Sequence, residues 1–173
     1  MNEIGYSPKN LHFGNEGRNK LINGIEAISN AVKSTLGPSG QTVLIESPSH
    51  THGITVTKDG VTVAKSVDLL DPVENLAVRM MKEAADRTAT SAGDGTTTAI
   101  VLTEQLVLEG ERLIRHKANK TEVLRELVQN TKDIVSQLEK MSRAVTKGRL
   151  RDVATISSNN DTHIGGIISK VYK

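Results

Sequence analysis

AGDGTTTA, residues 92–99, interrupts a chain whose flanking residues are spaced for helices. Before it, Leu76, Ala77, Met80, Met81, Ala84 and Ala85 recur on one helical face. That stretch follows Asp71-Pro72, where a proline suits the first turn of a helix. After it, Ile100, Leu102, Leu106, Leu113 and Ile114 mark the next helical stretch, weakened at Gly110. Gly93 and Gly95 permit positive φ and close backbone approach. Thr96, Thr97 and Thr98 then place three hydroxyls where the second helix starts. A helix beginning there has free N–H donors and the positive end of its dipole, which together suit a phosphate. Asp94 sets a hard carboxylate oxygen beside them, the ligand type that Mg2+ combines with substrate phosphates. The P-loop pattern G-x-x-x-x-G-K-[ST] does not occur in the chain. Taken alone, the segment is more commonly a helix–helix loop in which glycines turn and a threonine caps.

Outward from this break the chain reads as mainly helical. Leu21, Ile25, Ile28, Val32 and Leu36 line one face of a helix that Gly37-Pro38 ends. Residues 42–46 (TVLIE) and 54–57 (ITVT) are rich in β-formers and flank the turn-type segment SPSHTHG, predicting a β-hairpin. Lys58-Asp59-Gly60 reads as a further turn before VTVA at 61–64. A fourth helix starts at Asn119, with Glu122 three residues on, and carries Leu124, Leu127, Val128, Ile134, Val135 and Leu138. Residues 149–161 form a short amphipathic piece ending in a Ser/Asn cluster, and HIGGIISKVYK starts another helix. Residues 1–13 are polar and expected to fray.

Composition narrows the classes. The 173 residues include only 2% aromatics, so the core must be aliphatic. Nucleic-acid binding is disfavoured: the net charge is +2 with both signs interspersed, and the aromatic platforms used in single-strand stacking are nearly absent. The absence of cysteine excludes disulfides, iron–sulfur clusters and thiol nucleophiles. The start MNEIGYSPKN has no apolar signal region, and no apolar run reaches the roughly 18 residues of a membrane span. A soluble, cytoplasmic protein without membrane partners is the expectation.

Other segments carry weaker signals. Thr35-Leu36-Gly37-Pro38 could offer backbone groups to a base or phosphate, but alone it is ordinary helix termination. Lys58 can meet phosphate as a point charge, and Asp59 can orient or deprotonate a water. Alone, Lys58-Asp59-Gly60 is a charged turn. His50 and His52 lack the further ligands a metal site needs and read as solvated loop residues. Met80-Met81 reads as core filler.

Taken together, the motifs resemble group I (GroEL-like) chaperonins. TLGPSG at 35–40, TKDGVTVA at 57–64 and AGDGTTTA at 92–99 stand in that family's order and approximate spacing. ATISSNND at 154–161 is similar to its later T-I-S-x-N segment, and FGNEGR at 13–18 to its opening. The resemblance implies a mainly α fold, the helical equatorial-domain half with a small β-hairpin. Residues 1–142 would be the amino-terminal half of the equatorial, ATP-binding domain, and 143–173 the start of the intermediate domain.

It also implies roles. Thr35, Leu36, Gly37 and Pro38 would line the nucleotide pocket and Lys58 would lie near the phosphates. Asp59 would be the catalytic residue that positions the attacking water. Asp94 would bind Mg2+, while Gly95, Thr96, Thr97 and Thr98 hold the phosphates. Ile156 and Ser157 match a pocket-rim segment. ATP and Mg2+ are the implied cofactors. Unfolded client proteins, a co-chaperonin and a homo-oligomeric ring are the implied partners.

There are two departures. The hairpin tip looks longer than the family form, which bears on the subunit contact that this stem-loop makes in the family. The apical domain, the returning intermediate segment with another catalytic Asp and the second equatorial half are not among the 173 residues. The chain alone is therefore expected to bind ATP weakly and to turn it over negligibly. Two alternatives differ in class: a truncated chaperonin-like interaction module without hydrolysis, and an unrelated kinase-like enzyme. The second is disfavoured because no Walker A or kinase-type glycine loop is present.

Overall fold

The computed structural model describes residues 9–37, 39–46, 53–115, 119–158 and 160–172, with Lys147 described in its backbone only. The hairpin tip with His50 and His52, the N-terminal residues 1–8, and Pro38 lie outside the described residues. The chain divides into two compact units, residues 1–112 and 113–173.

The first unit is built on the two long helices α1 (Gly14–Lys33) and α3 (Pro72–Ala92), which pack on each other. Gly24 permits this approach: a Cβ there would stand only 2.9 Å from the carbonyl carbon of Glu74. Asp71 caps α3, accepting from the N–H of Val73 at 2.8 Å and of Glu74 at 3.2 Å, and Pro72 occupies the first turn as its sequence predicts. The Lys20 ammonium meets Asp71 at 2.7 Å and ties α1 to the same cap.

The core is aliphatic, as the composition requires: Ile28 and Val32 of α1, Val78, Met81 and Ala85 of α3, with Val63, Ala64 and Ile100. Three sequence expectations shift here. Leu36 lies past the end of α1 and is exposed, because the chain turns at Ser34-Thr35. Of the methionine pair only Met81 is buried, since adjacent helical positions face different ways. Leu102, Leu106 and Leu113, expected on the apolar face of the helix after the glycine break, are also exposed.

Strands β1 (Val43–Glu46) and β2 (Ile54–Thr57) form the expected antiparallel hairpin, with Val43 opposite Thr57 and Ile45 opposite Thr55. The period of two turns Val43 and Ile45 onto the core and leaves Leu44 and Val56 exposed. VTVA belongs to a helix, α2 (Gly60–Ser66), although it alternates like a strand. Asp59 is the reason: its carboxylate accepts from the N–H groups of Val61 (3.4 Å) and Thr62 (2.9 Å), and helical winding buries both Val63 and Ala64. Helix α4 (Thr96–Arg115) follows the glycine break.

The second unit contains α5 (Lys120–Met141), α6 (Lys147–Ser157) and α7 (Thr162–Val171). Asn119 caps α5 as expected, accepting from Thr121 N–H at 3.0 Å. Asp161 does the same for α7, accepting from His163 N–H at 2.8 Å. Helices α6 and α7 pack closely through Gly165, where a Cβ would lie 2.8 Å from the Thr155 backbone. No residue of α5 is buried.

Candidate functional site

Three segments far apart in sequence meet at Gly60. A Cβ on this glycine would overlap the Thr97 hydroxyl, and would stand 3.3 Å from Thr97 Cβ and 3.4 Å from Thr35 Oγ1. The turn after α1, the start of α2 and the first turn of α4 therefore share one point, and only a residue without a side chain fits there.

Each arm has a local cause. Thr35 follows the last turn of α1, with its hydroxyl donating to Val32 O at 2.8 Å. Gly37 has φ of 77°, and Gly40 N–H donates to Gly37 O at 2.9 Å, so the chain doubles back at once. Leu36 and Gly37 are exposed beside this turn. Gly93 (φ 74°) ends α3 in the left-handed conformation and Gly95 (φ 84°) turns the chain into α4. Both positive angles are what the two glycines of the GDG run permit. Thr96 is buried, Thr97 partly buried and Thr98 exposed. By helix geometry the first-turn N–H groups of α4 have no intrahelical acceptor.

The charged residues surround this point in sequence and differ in commitment. Lys58 is exposed, with no ion pair among the described residues. Asp59 Oδ2 accepts from the Thr62 hydroxyl at 2.6 Å as well as from its N–H. Partial burial pushes the Asp59 carboxyl up, but the Thr62 hydroxyl and the N–H groups of Thr62 and Val61, aided by Lys65, hold it below the usual carboxylate range. Asp94 is exposed; its Oδ1 accepts from Gly95 N–H at 2.6 Å, and its other oxygen has no partner among the described residues. No group of three or more acidic or histidine side chains capable of holding a metal occurs among the described residues. A cation here would need oxygens from a ligand to complete its shell.

One feature absent from the sequence reading is Glu104. It is 2% exposed, and its carboxylate receives the Lys33 ammonium at 2.6 Å. The signal was available: Thr96, Ile100 and Glu104 fall at four-residue steps, so a charge sits on the buried stripe of α4.

The TCP-1/cpn60 chaperonin family matches residues 28–172, most of the chain. The protein belongs to this family. Among solved structures, the chaperonin gp146 of bacteriophage EL 2 (Pseudomonas aeruginosa), crystallised in the presence of ATP-BeFx, is similar with a TM-score of 0.79 and 32% identity. The match covers 92% of this chain and 28% of that protein. A second crystal form of gp146 gives a TM-score of 0.79 and 31% identity over the same shares. The present chain thus spans 28% of the length of the chaperonin it matches. The helical fold with its small hairpin is that of the chaperonin equatorial domain. Ile156 and Ser157 of this chaperonin chain lie at the end of α6 and are exposed. No helix among the described residues is long and apolar enough to cross a membrane.

Proposed function

We propose that the chain carries the phosphate and Mg2+ side of a chaperonin ATPase site. The observation that supports this most is the meeting of Thr35, Gly60 and Thr97 at one point, with the exposed Asp94 three residues before Thr97. The residues fit the group. A helix start supplies N–H donors, positive-φ glycines leave the backbone approachable, and one uncommitted carboxylate oxygen is available as a hard ligand.

In this reading Gly95, Thr96, Thr97 and Thr98 hold the phosphates, and Lys58 adds a positive charge. Thr35, Leu36 and Gly37 line the approach; Pro38, grouped with them by the sequence motif, lies outside the described residues. Asp94 holds Mg2+, whose chemistry when bound is to neutralise charge on the transferring phosphoryl group. Asp59 is the water-positioning residue. Its carboxylate is held in place by the N–H groups of Val61 and Thr62 and by the Thr62 hydroxyl, which suits it to orienting a water. Residues 1–142 form the amino-terminal equatorial half and 143–173 the start of the intermediate domain. The complete subunit works in the cytoplasm in a homo-oligomeric ring, where ATP hydrolysis drives the folding of client proteins, with a co-chaperonin as a further partner.

Calorimetric titration with Mg-ATP, of the chain alone and mixed with a carboxy-terminal chaperonin half, tests the reading. Weak binding is expected alone and stronger binding in the mixture, with Asp94→Asn removing the dependence on Mg2+. Absence of binding in both settings, with the chain folded, refutes it.

A further inference from the structure

Helix α4 is held unlike its neighbours. Helices α1, α2 and α3 lie against one another in close backbone contact, whereas α4 approaches them closely at its first turn, where Thr97 meets Gly60, and otherwise through side chains. Besides Thr97 at Gly60, its side-chain attachments to the rest of the first unit include Ile100 in the core, Arg18 to Glu111 at 3.3 Å, and Lys33 to Glu104 at 2.6 Å. These three differ in what they constrain. Apolar contact is non-directional and tolerates rotation and sliding of a helix. The Arg18–Glu111 pair is longer and sets an exposed arginine against a mostly buried carboxylate, so it constrains less than the short Lys33–Glu104 pair. The Glu104 carboxylate is almost fully buried, so leaving Lys33 would strand a charge away from water.

The placement of this pair matters. Lys33 stands two residues before Thr35, and Glu104 lies seven residues after Thr97, on the same side of α4. The pair therefore fastens α1 to α4 about 10 Å along the helix from the point where Thr35, Gly60 and Thr97 meet. Two fixed points on one face set both the rotation and the axial register of a helix.

We propose that Lys33 and Glu104 are positioning residues that hold the first turn of α4 in register against Thr35 and Gly60. This deepens, and rests on, the reading of that turn as a phosphate site. The pair does not touch the ligand; it determines where the N–H groups and hydroxyls of Thr96–Thr98 point.

The test separates register from stability. In Lys33→Met/Glu104→Leu both charges are replaced by apolar groups of similar volume, which retains or raises the melting temperature. The N–H orientations of Thr96–Thr98, read as residual dipolar couplings in the ligand-free chain, are expected to change. Mg-ATP affinity, followed by amide shifts, is expected to fall about tenfold. Glu104→Gln, which keeps shape and one hydrogen bond, should show the same changes to a smaller degree, and Lys33→Arg, which keeps the charge pair, should retain the parent couplings. If the double variant melts like the parent with unchanged couplings, the pair is merely structural and the proposal is overturned. If the double variant does not fold, Glu104→Gln decides: parent-like couplings in it overturn the proposal. If the parent chain takes no Mg-ATP, even with a carboxy-terminal half added, while the variant couplings still move, the phosphate reading fails and the register role stands.

Discussion

Gly60 concentrates the fold's demands on one residue. It occupies the first position of α2 among the buried residues, where alanine is ordinarily the better helix former. The space opposes that preference, because an added Cβ would enter the Thr97 side chain. Gly60→Ala is expected to cost about 1–3 kcal/mol through overpacking. Gly110, inside α4 with nothing within 4 Å of its notional Cβ, is the control: Gly110→Ala should stabilise by about 0.5–1 kcal/mol. Urea unfolding of the two variants compares them directly, and equal effects would remove the case for a tight contact at Gly60.

Asp71 gives a pH signature at the same scale. The Lys20 ammonium, with the N–H groups of Glu74 and Val73, holds its carboxyl at about 2, down from 3.8. The folded state thus binds fewer protons than the unfolded state between these values. Its stabilisation is complete above about pH 4 and is lost as pH falls through about 2. Asp59 is shifted in the same direction. Asp71→Asn keeps a capping side chain but removes the charge, so its melting temperature should fall less steeply than the parent's below pH 4. Parallel acid profiles would count against the Lys20–Asp71 linkage.

At the scale of elements, legibility followed the range of the forces. Asp71-Pro72 and Asn119 marked helix starts correctly because a cap acts within three residues of itself. The hairpin was legible from two β-rich runs around a turn. VTVA was not, because its period of two and its β-branched residues argue for a strand, while the cap at Asp59 and burial of Val63 with Ala64 decide for a helix. In the site, the positive-φ glycines and the threonine run could be read locally. The contact of Gly60 with Thr97 and the ion pair of Lys33 with Glu104 could not, since each joins helices that only tertiary packing brings together. The α6–α7 hairpin offers an independent element-scale test. Gly165→Ala would press a Cβ on the Thr155 backbone, which cannot swing aside as a side chain does. A loss of about 1–3 kcal/mol is expected, with amide exchange quickening in α6 and α7. Unchanged exchange in both helices would show that they tolerate separation.

For the whole molecule, the notable quantity is apolar surface in water. Helix α5 has no buried residue, yet Leu124, Val128, Ile134, Val135, Leu138 and Met141 are all exposed along it. In the first unit Leu102 and Leu106 of α4 are exposed too. Surfaces of this kind are covered in stable assemblies or drive association. Light scattering across a concentration series is expected to give a mass above that of one chain, rising with concentration. Val128→Ser with Val135→Ser should lower it, and a concentration-independent monomer would contradict the expectation.

The meeting point at Gly60 also bears on how the protein reaches its native state. Thr35 follows α1, while Gly60 and Thr97 lie on α2 and α4, so their junction closes only after two long stretches of chain have been brought together, against the entropy of loop closure. The helices and hairpin can form from near neighbours, but the junction cannot. A ligand that recognises it therefore recognises only fully assembled molecules, and withdraws them from the unfolding equilibrium by mass action.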